Sequence, residues 1–435
     1  MSDPLVIGAL GMAAMFALIL IQVPIGIAMI VVGVVGFALQ SGWGPALSIL
    51  AGEPSGILSS VDLASVPLFL MMGTFATAAG FSADIYAAAA AFLGHRRGGL
   101  AYATIGGSAV FGAVCGSSTA TAATFAKAAL PEMLRRGYAP AFSAGTIAAG
   151  GTLKALIPPS IVMVLYCIVS RTFILDLFVA AIVPALLAIA LNVLAVKLVV
   201  WRNPAAAPVS EPVGWPERLA ALRRAGPVLV LMAAVFAGLY SGVFTVSEAA
   251  SVAAVLSFAF ALAMGRLNWA GAWRGLRETA AATAMIYIII IGASVFTYFL
   301  TVARVPDALI EAVGALQLPP LVIIAALLVA YLILGAVFDE IAAMLITLPL
   351  VLPIIERLGY EQIWWGVINV IVIELGMIIP PIGIIVFLIH GLAPQIAMKT
   401  IYRGVAPFIA ADLILLALIT AFPAIAMTLP RLLGP

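Results

Sequence analysis

The sequence predicts an all-α polytopic membrane protein built from two inverted-topology repeats, and three observations carry that prediction. Of 435 residues, 65% are hydrophobic and only 9% charged, where a soluble domain carries about a quarter charged. Apolar runs of about 20 residues recur from end to end, the length that crosses ~30 Å of hydrocarbon as a helix. A set of short motifs also returns in register in the second half of the chain.

The same composition excludes soluble enzymes and DNA binders. Basic and acidic residues number 20 and 18, so no field builds up that would draw nucleic acid. Cys115 and Cys167 lie in apolar segments, and His95 and His390 stand alone, which leaves no disulfide framework and no histidine-rich metal centre. The first apolar run lacks a basic n-region and continues to Leu39, so it reads as a retained helix and not a cleaved signal.

Hydropathy sets about ten full spans, near 4–21, 23–40, 61–81, 140–170, 173–201, 226–242, 245–264, 279–302, 361–390 and 404–427. Two further apolar stretches, 98–136 and 319–357, are interrupted near their middles and read as re-entrant hairpins. His95, Arg96 and Arg97 flank the first hairpin on one side and Arg135 and Arg136 on the other, so the positive-inside tendency places both its ends in the cytoplasm. Threading from there puts the N-terminus in the periplasm and leaves only Arg171, Arg304, Arg357 and Arg431 outside. Segments 82–95 and 303–317 precede the hairpins and read as short interfacial helices, arms between a fixed scaffold and a moving core. Glu248, after Thr245, reads as a helix N-terminal capping residue.

The repeat is the most informative feature. Leu130-Pro131 returns as Leu352-Pro353, Ile157-Pro158-Pro159 as Ile379-Pro380-Pro381, Gly112-Ala113-Val114 as Gly335-Ala336-Val337 and Pro184 as Pro407. Residues 1–205 then form one repeat and 226–435 the other, joined by a cytoplasmic linker at 206–225. Each has an odd number of crossings, so the second must be inverted, an arrangement found in many secondary transporters.

Chemistry is expected where the helices break. The first hairpin breaks at Gly116-Ser117-Ser118-Thr119, and irregular backbone at bilayer depth survives only when buried in protein or lining a cavity. Its oxygens suit a sodium ion, while packing through small residues is the alternative. The span 140–170 breaks at Gly150-Gly151-Thr152-Leu153-Lys154, ahead of Pro158-Pro159-Ser160, and 361–390 breaks at Glu374-Leu375-Gly376, ahead of Pro380-Pro381. Paired prolines remove two amide donors. The second hairpin tip carries Asp339 and Glu340, ionisable residues at a depth where they are expensive and functional, although Asp339 also suits a helix cap. Lys154 either reads a substrate carboxylate or sulfonate or pairs with Glu374 across the repeat axis. The expected substrate pocket takes in Thr121, Thr152, Lys154, Pro158, Pro159, Ser160, Glu374, Pro380 and Pro381.

Together, Gly116-Ser117-Ser118-Thr119-Ala120-Thr121, Gly150-Gly151-Thr152-Leu153, Leu156-Ile157-Pro158-Pro159-Ser160 and Pro380-Pro381-Ile382-Gly383 resemble the large membrane subunit of the tripartite ATP-independent periplasmic (TRAP) transporters, as do Val66-Pro67-Leu68-Phe69 and Gly94-His95-Arg96-Arg97. The resemblance spans essentially the whole chain. It implies a sodium-driven, elevator-type importer of small organic anions in the bacterial inner membrane, with no catalytic residues and no organic cofactor. It also implies two partners, a small four-helix membrane subunit and a periplasmic substrate-binding protein. By that likeness Gly116, Ser117, Ser118, Thr119, Gly150 and Gly151 form one sodium site, and Asp339, Glu340, Ala342, Gly376 and Ile379 a second. The chain departs from the family pattern at Ile379, at Ile385 and at Lys154, a position often held by a small residue. The competing reading is a stand-alone sodium- or proton-coupled anion transporter of the same fold.

Overall fold

The computed structural model describes residues 3–433, which contain helices and no strand. The first half runs α1 (Pro4–Leu20), α2 (Ile25–Ser41), α3 (Trp43–Leu58), α4 (Ser65–Ala78), α5 (Phe81–Leu93), α6 (Gly99–Cys115), α7 (Ser118–Ala128), α8 (Leu130–Arg135), α9 (Pro140–Leu153), α10 (Ile161–Ser170) and α11 (Ile174–Arg202). The second runs α12 (Trp215–Tyr240), α13 (Val246–Ala263), α14 (Trp269–Val302), α15 (Val305–Ala315), α16 (Pro320–Val337), α17 (Glu340–Arg357), α18 (Gln362–Gly376), α19 (Ile384–Leu392), α20 (Met398–Ala421) and α21 (Ala424–Leu433). Six helices are each long and apolar enough to cross a membrane, and eight spans result if the bent pairs α3/α4 and α9/α10 count as one each. The chain is a multi-pass membrane protein. The expected ten differ from these eight: they take in α1 and α2, which are apolar but 17 residues long, and the interrupted α18/α19, and they leave out α16, an expected hairpin arm that is long and apolar enough to cross.

Several helices run past the limits that hydropathy sets, because hydropathy marks the lipid-buried part of a helix and not its end. α14 starts ten residues before the expected 279, through a turn that carries Arg274, Arg277 and Glu278. α12 starts at Trp215 with Pro216 in its first turn, a position where the missing amide costs nothing, so half of the expected 206–225 linker is helix. The last expected span, 404–427, begins earlier, at Met398, and stops at Ala421, where Phe422 leaves helical geometry ahead of Pro423.

One helix has no counterpart among the expected elements. Residues 43–58 contain Gly44, Pro45, Gly52, Pro54 and Gly56 and fall between the expected spans, yet they form α3, bent by 65° from the segment that follows. Ala46 is its one buried residue. Glu53 holds α3 to the core by accepting from Ser294 and, at 3.0 Å, from the Tyr298 hydroxyl, both on α14.

The two arms differ. α5 buries Phe81, Ser82, Asp84, Ile85 and Tyr86, whereas α15 buries only Val305. Arg266, between α13 and α14, pairs with Asp84 and donates to Ala79 O at 2.7 Å, closing the end of α4. Arg266→Ala strands a carboxylate that is 7% exposed and is expected to cost about 1.5–3 kcal/mol, the range for charge-assisted hydrogen bonds. Thermal unfolding in detergent measures it, and an unchanged midpoint would remove the pair from the account. Glu248 and Thr245 form a reciprocal capping box at the start of α13.

Candidate functional site

Both hairpin tips are built on the same local device. Gly116 ends α6 with φ of 70°, and Ser117 caps α7 by accepting from Ala120 N at 3.3 Å. In the second half Asp339 caps α17 by accepting from Ile341 N at 3.1 Å. Each cap spends a side-chain oxygen on an otherwise orphaned amide. The next residue at either tip, Ser118 or Glu340, is then left free to point at its counterpart. Their separation in sequence is 222, and Ser118 Oγ lies 3.3 Å from Glu340 Oε2. Two side chains at the offset of the sequence repeat therefore meet.

The broken helices complete the cluster. α9 passes into a short 3-10 turn, Lys154–Leu156, and Lys154 Nζ donates to Gly116 O at 3.2 Å and to Glu340 Oε1 at 3.4 Å, with Glu374 Oε1 at 3.7 Å. Ser118 Oγ lies 2.6 and 2.8 Å from the two Glu374 oxygens. Lys154, Glu340, Glu374 and Ser118 are all buried. Each of the two tips and two breaks thus contributes one side chain to a single ionic cluster.

Glycines set how closely these parts approach. A Cβ on Gly112 would lie 2.2 Å from Lys154 Cβ, and one on Gly376 would lie 2.6 Å from the Gly335 carbonyl carbon. Gly112 and Gly335 are repeat equivalents, as are Lys154 and Gly376, so each hairpin packs on its broken helix through the same pair of positions. Gly150 lies against Ser108 of α6 and Gly151 against Ala122 of α7. Their observed part is close packing.

The remaining candidates fall into distinct surroundings. Thr121 Oγ1 donates back to Ser117 O at 2.8 Å, Thr119 Oγ1 lies 3.1 Å from Ser117 Oγ, and Thr152 Oγ1 donates to Ala149 O at 2.9 Å. Pro158, Pro159 and Ser160 are buried, and Ser160 Oγ has no hydrogen-bond partner among the described residues. Pro380 and Pro381 are exposed, so the expected pocket does not enclose both proline pairs. Ala342 is buried in the first turns of α17, and Ile379 N donates to Gly376 O at 3.1 Å. At the first tip the donors expected for sodium are engaged, since Gly116 O receives Lys154, Ser117 caps α7 and Ser118 holds Glu374. These residues do not fit a further ion there. The second tip offers the carbonyls around an extended Phe338–Asp339 backbone, hard oxygen donors of the type a sodium ion takes, while both Glu340 oxygens already face Lys154 and Ser118.

One buried pair went unread in the sequence. Asp412 on α20 accepts from Asn192 Nδ2 on α11 at 3.0 Å. With Thr152 and Glu374, Asp412 lines a cavity of about 20 Å³. The signal was present, an acid in mid-span, and it escaped notice because the residues around it match no repeat motif. A larger cavity, about 340 Å³, reaches the first hairpin tip at Ser117 and is lined by Thr74, Thr77 and Arg274.

Comparison with known proteins agrees in extent with this architecture. The family model described as "Tripartite ATP-independent periplasmic transporter, DctM component" matches residues 12–425. The chain is 36% identical over 400 residues to the C4-dicarboxylate TRAP transporter large permease protein DctM of Pseudomonas aeruginosa, covering 89% of this chain and 93% of that one. It is 28% identical to the ectoine TRAP transporter large permease protein TeaC of Halomonas elongata, covering 96% and 97%. Its fold is similar to the crystal structure of the Alcanivorax borkumensis YdaH transporter, with a TM-score of 0.59 at 15% identity over 90% of each chain.

Proposed function

We propose that this chain, which belongs to the DctM component family of the tripartite ATP-independent periplasmic transporters and is a transport protein and not an enzyme, imports a small organic anion across the bacterial inner membrane. It receives the anion from a periplasmic substrate-binding protein and works beside a small four-helix membrane subunit. Sodium supplies the driving force, bound at the second hairpin tip around Asp339, Glu340 and Ala342 with Gly376 and Ile379.

The observation that supports this reading is the meeting of both tips and both broken helices on one buried cluster. Unwound backbone at that depth survives only where it is buried in protein or lines a cavity, and this cluster supplies such a setting. Moving the tips relative to α14 and its neighbours would expose the site to one side and then the other, and α5 and α15 are placed to connect the moving and fixed parts. The organic anion class rests on likeness. The relative from Pseudomonas aeruginosa is named for C4-dicarboxylates; the first-tip cavity is lined by Arg274 and Glu278 together, so it carries no net positive charge and adds nothing to that likeness.

Thermal unfolding of the purified chain across a sodium series, at ionic strength held by choline, tests the ion. An ion that binds the folded state alone stabilises by RT ln(1 + [L]/Kd), about 2.7 kcal/mol at a hundredfold excess. A rise with sodium that potassium does not reproduce, and that Glu340→Gln removes, is the expected result. Equal responses to sodium and potassium would sink sodium coupling.

A further inference from the structure

The first hairpin tip already holds a cation, and that cation belongs to the chain. Lys154 Nζ is met by Gly116 O at 3.2 Å, Glu340 Oε1 at 3.4 Å and Glu374 Oε1 at 3.7 Å, and Ser118 Oγ ties the second carboxylate in place. Its three neighbours all offer oxygen: a carbonyl from an unwound tip and two carboxylates. Hard metal cations take such a set, and transporters hold coupling ions at tips of this kind. Here an ammonium takes it, and the Lys154 side chain is wholly buried in doing so.

The internal repeat sharpens the point. The position equivalent to Lys154 is Gly376, which packs on Gly335 as Lys154 packs on Gly112. Both halves thus have the same backbone contact, and only the first carries a tethered charge. We infer that Lys154 is a built-in cation occupying the ion position of the first tip, so that the chain binds one metal cation fewer than its two-fold architecture would otherwise hold. This rests on the transport reading only for the identity of the ion, and it follows from the failure of the first-tip residues to fit sodium.

The test counts sodium bound to the full purified chain by equilibrium dialysis with radioactive sodium in choline buffer. Lys154→Ala keeps the Cβ that rests on Gly112 and vacates the oxygens, and it is expected to bind one more sodium per chain than the wild type. Lys154→Met, which refills the space without charge, is expected to bind no more than the wild type. Should Lys154→Ala fail to fold, the double variant Lys154→Ala/Glu374→Gln keeps the wild-type net charge of the cluster and is expected to give the same gain at higher sodium. Equal counts in wild type and vacated variant would overturn the inference, as would an equal gain in Lys154→Met. A wild type that binds no sodium, beside a vacated variant that does, would reject sodium as the driving ion and leave the built-in cation standing.

Discussion

Lys154→Met is expected to destabilise the protein by about 3–5 kcal/mol, the cost of leaving a buried charge without its partner, and by more than either Glu340→Gln or Glu374→Gln. The asymmetry follows from charge count. One ammonium faces two carboxylates, all buried. Removing a glutamate charge leaves a neutral Lys–Glu pair that is still hydrogen-bonded. Removing the lysine leaves two carboxyl groups facing each other without a cation in a medium that screens charge poorly. Lys154→Met/Glu374→Gln is then expected to cost less than the sum of its parts, with a coupling of about 0.5–3 kcal/mol for groups in one network. Chemical unfolding of the wild type and the four variants in a common detergent checks this. A glutamate variant as costly as the lysine variant, with no coupling in the double, would show that the cluster is packing with incidental charge.

How much of this was legible beforehand depends on what kind of information each feature uses. The interruptions between α6 and α7, α9 and α10, α16 and α17, and α18 and α19 were readable because a recurrence such as Ile157-Pro158-Pro159 and Ile379-Pro380-Pro381 survives in one dimension. The same offset carries Ser118 onto Glu340, but equivalence in sequence does not bring two residues together, and their contact is set by packing. Helix ends were not readable from hydropathy, since α12 and α14 continue through charged turns into the water layer. α3 was hidden by prolines and glycines that local propensity assigns to a loop, and its anchor, Glu53 on Ser294 and Tyr298, is made across more than 200 residues. Lys154 illustrates the limit for the site. Its depth and its rarity were visible, but the choice between a free charge and a paired one depends on where Gly116, Glu340 and Glu374 arrive. Only the packing of four separate segments decides that.

Gly404→Val is expected to be the most damaging change away from the charges, costing about 3 kcal/mol or preventing assembly of the helices, the upper end of overpacking effects. A Cβ on Gly404 would lie 1.7 Å from Ala141 O and 2.5 Å from the carbon that carries it, and a Cβ on Gly145 would lie 2.1 Å from Gly404 O. These are backbone atoms, which cannot rotate away as a side chain can. α9 and α20 therefore cross with their main chains in contact, a close approach that small residues permit between membrane helices. Forcing them apart displaces α9, whose last turn leads into Lys154, and α20, which carries Asp412 beside Glu374 across the small cavity. The damage is then expected to reach the cluster, so that the sodium response falls along with stability. Gly314→Ala supplies the contrast: it lies within exposed α15 with nothing inside 4 Å of an added Cβ, and helix propensity alone predicts a gain of about 0.5–1 kcal/mol. Glycines of the same sequence appearance should thus give opposite signs in one unfolding assay. Equal, small effects at both positions would mean that the α9–α20 crossing is looser than the structure has it.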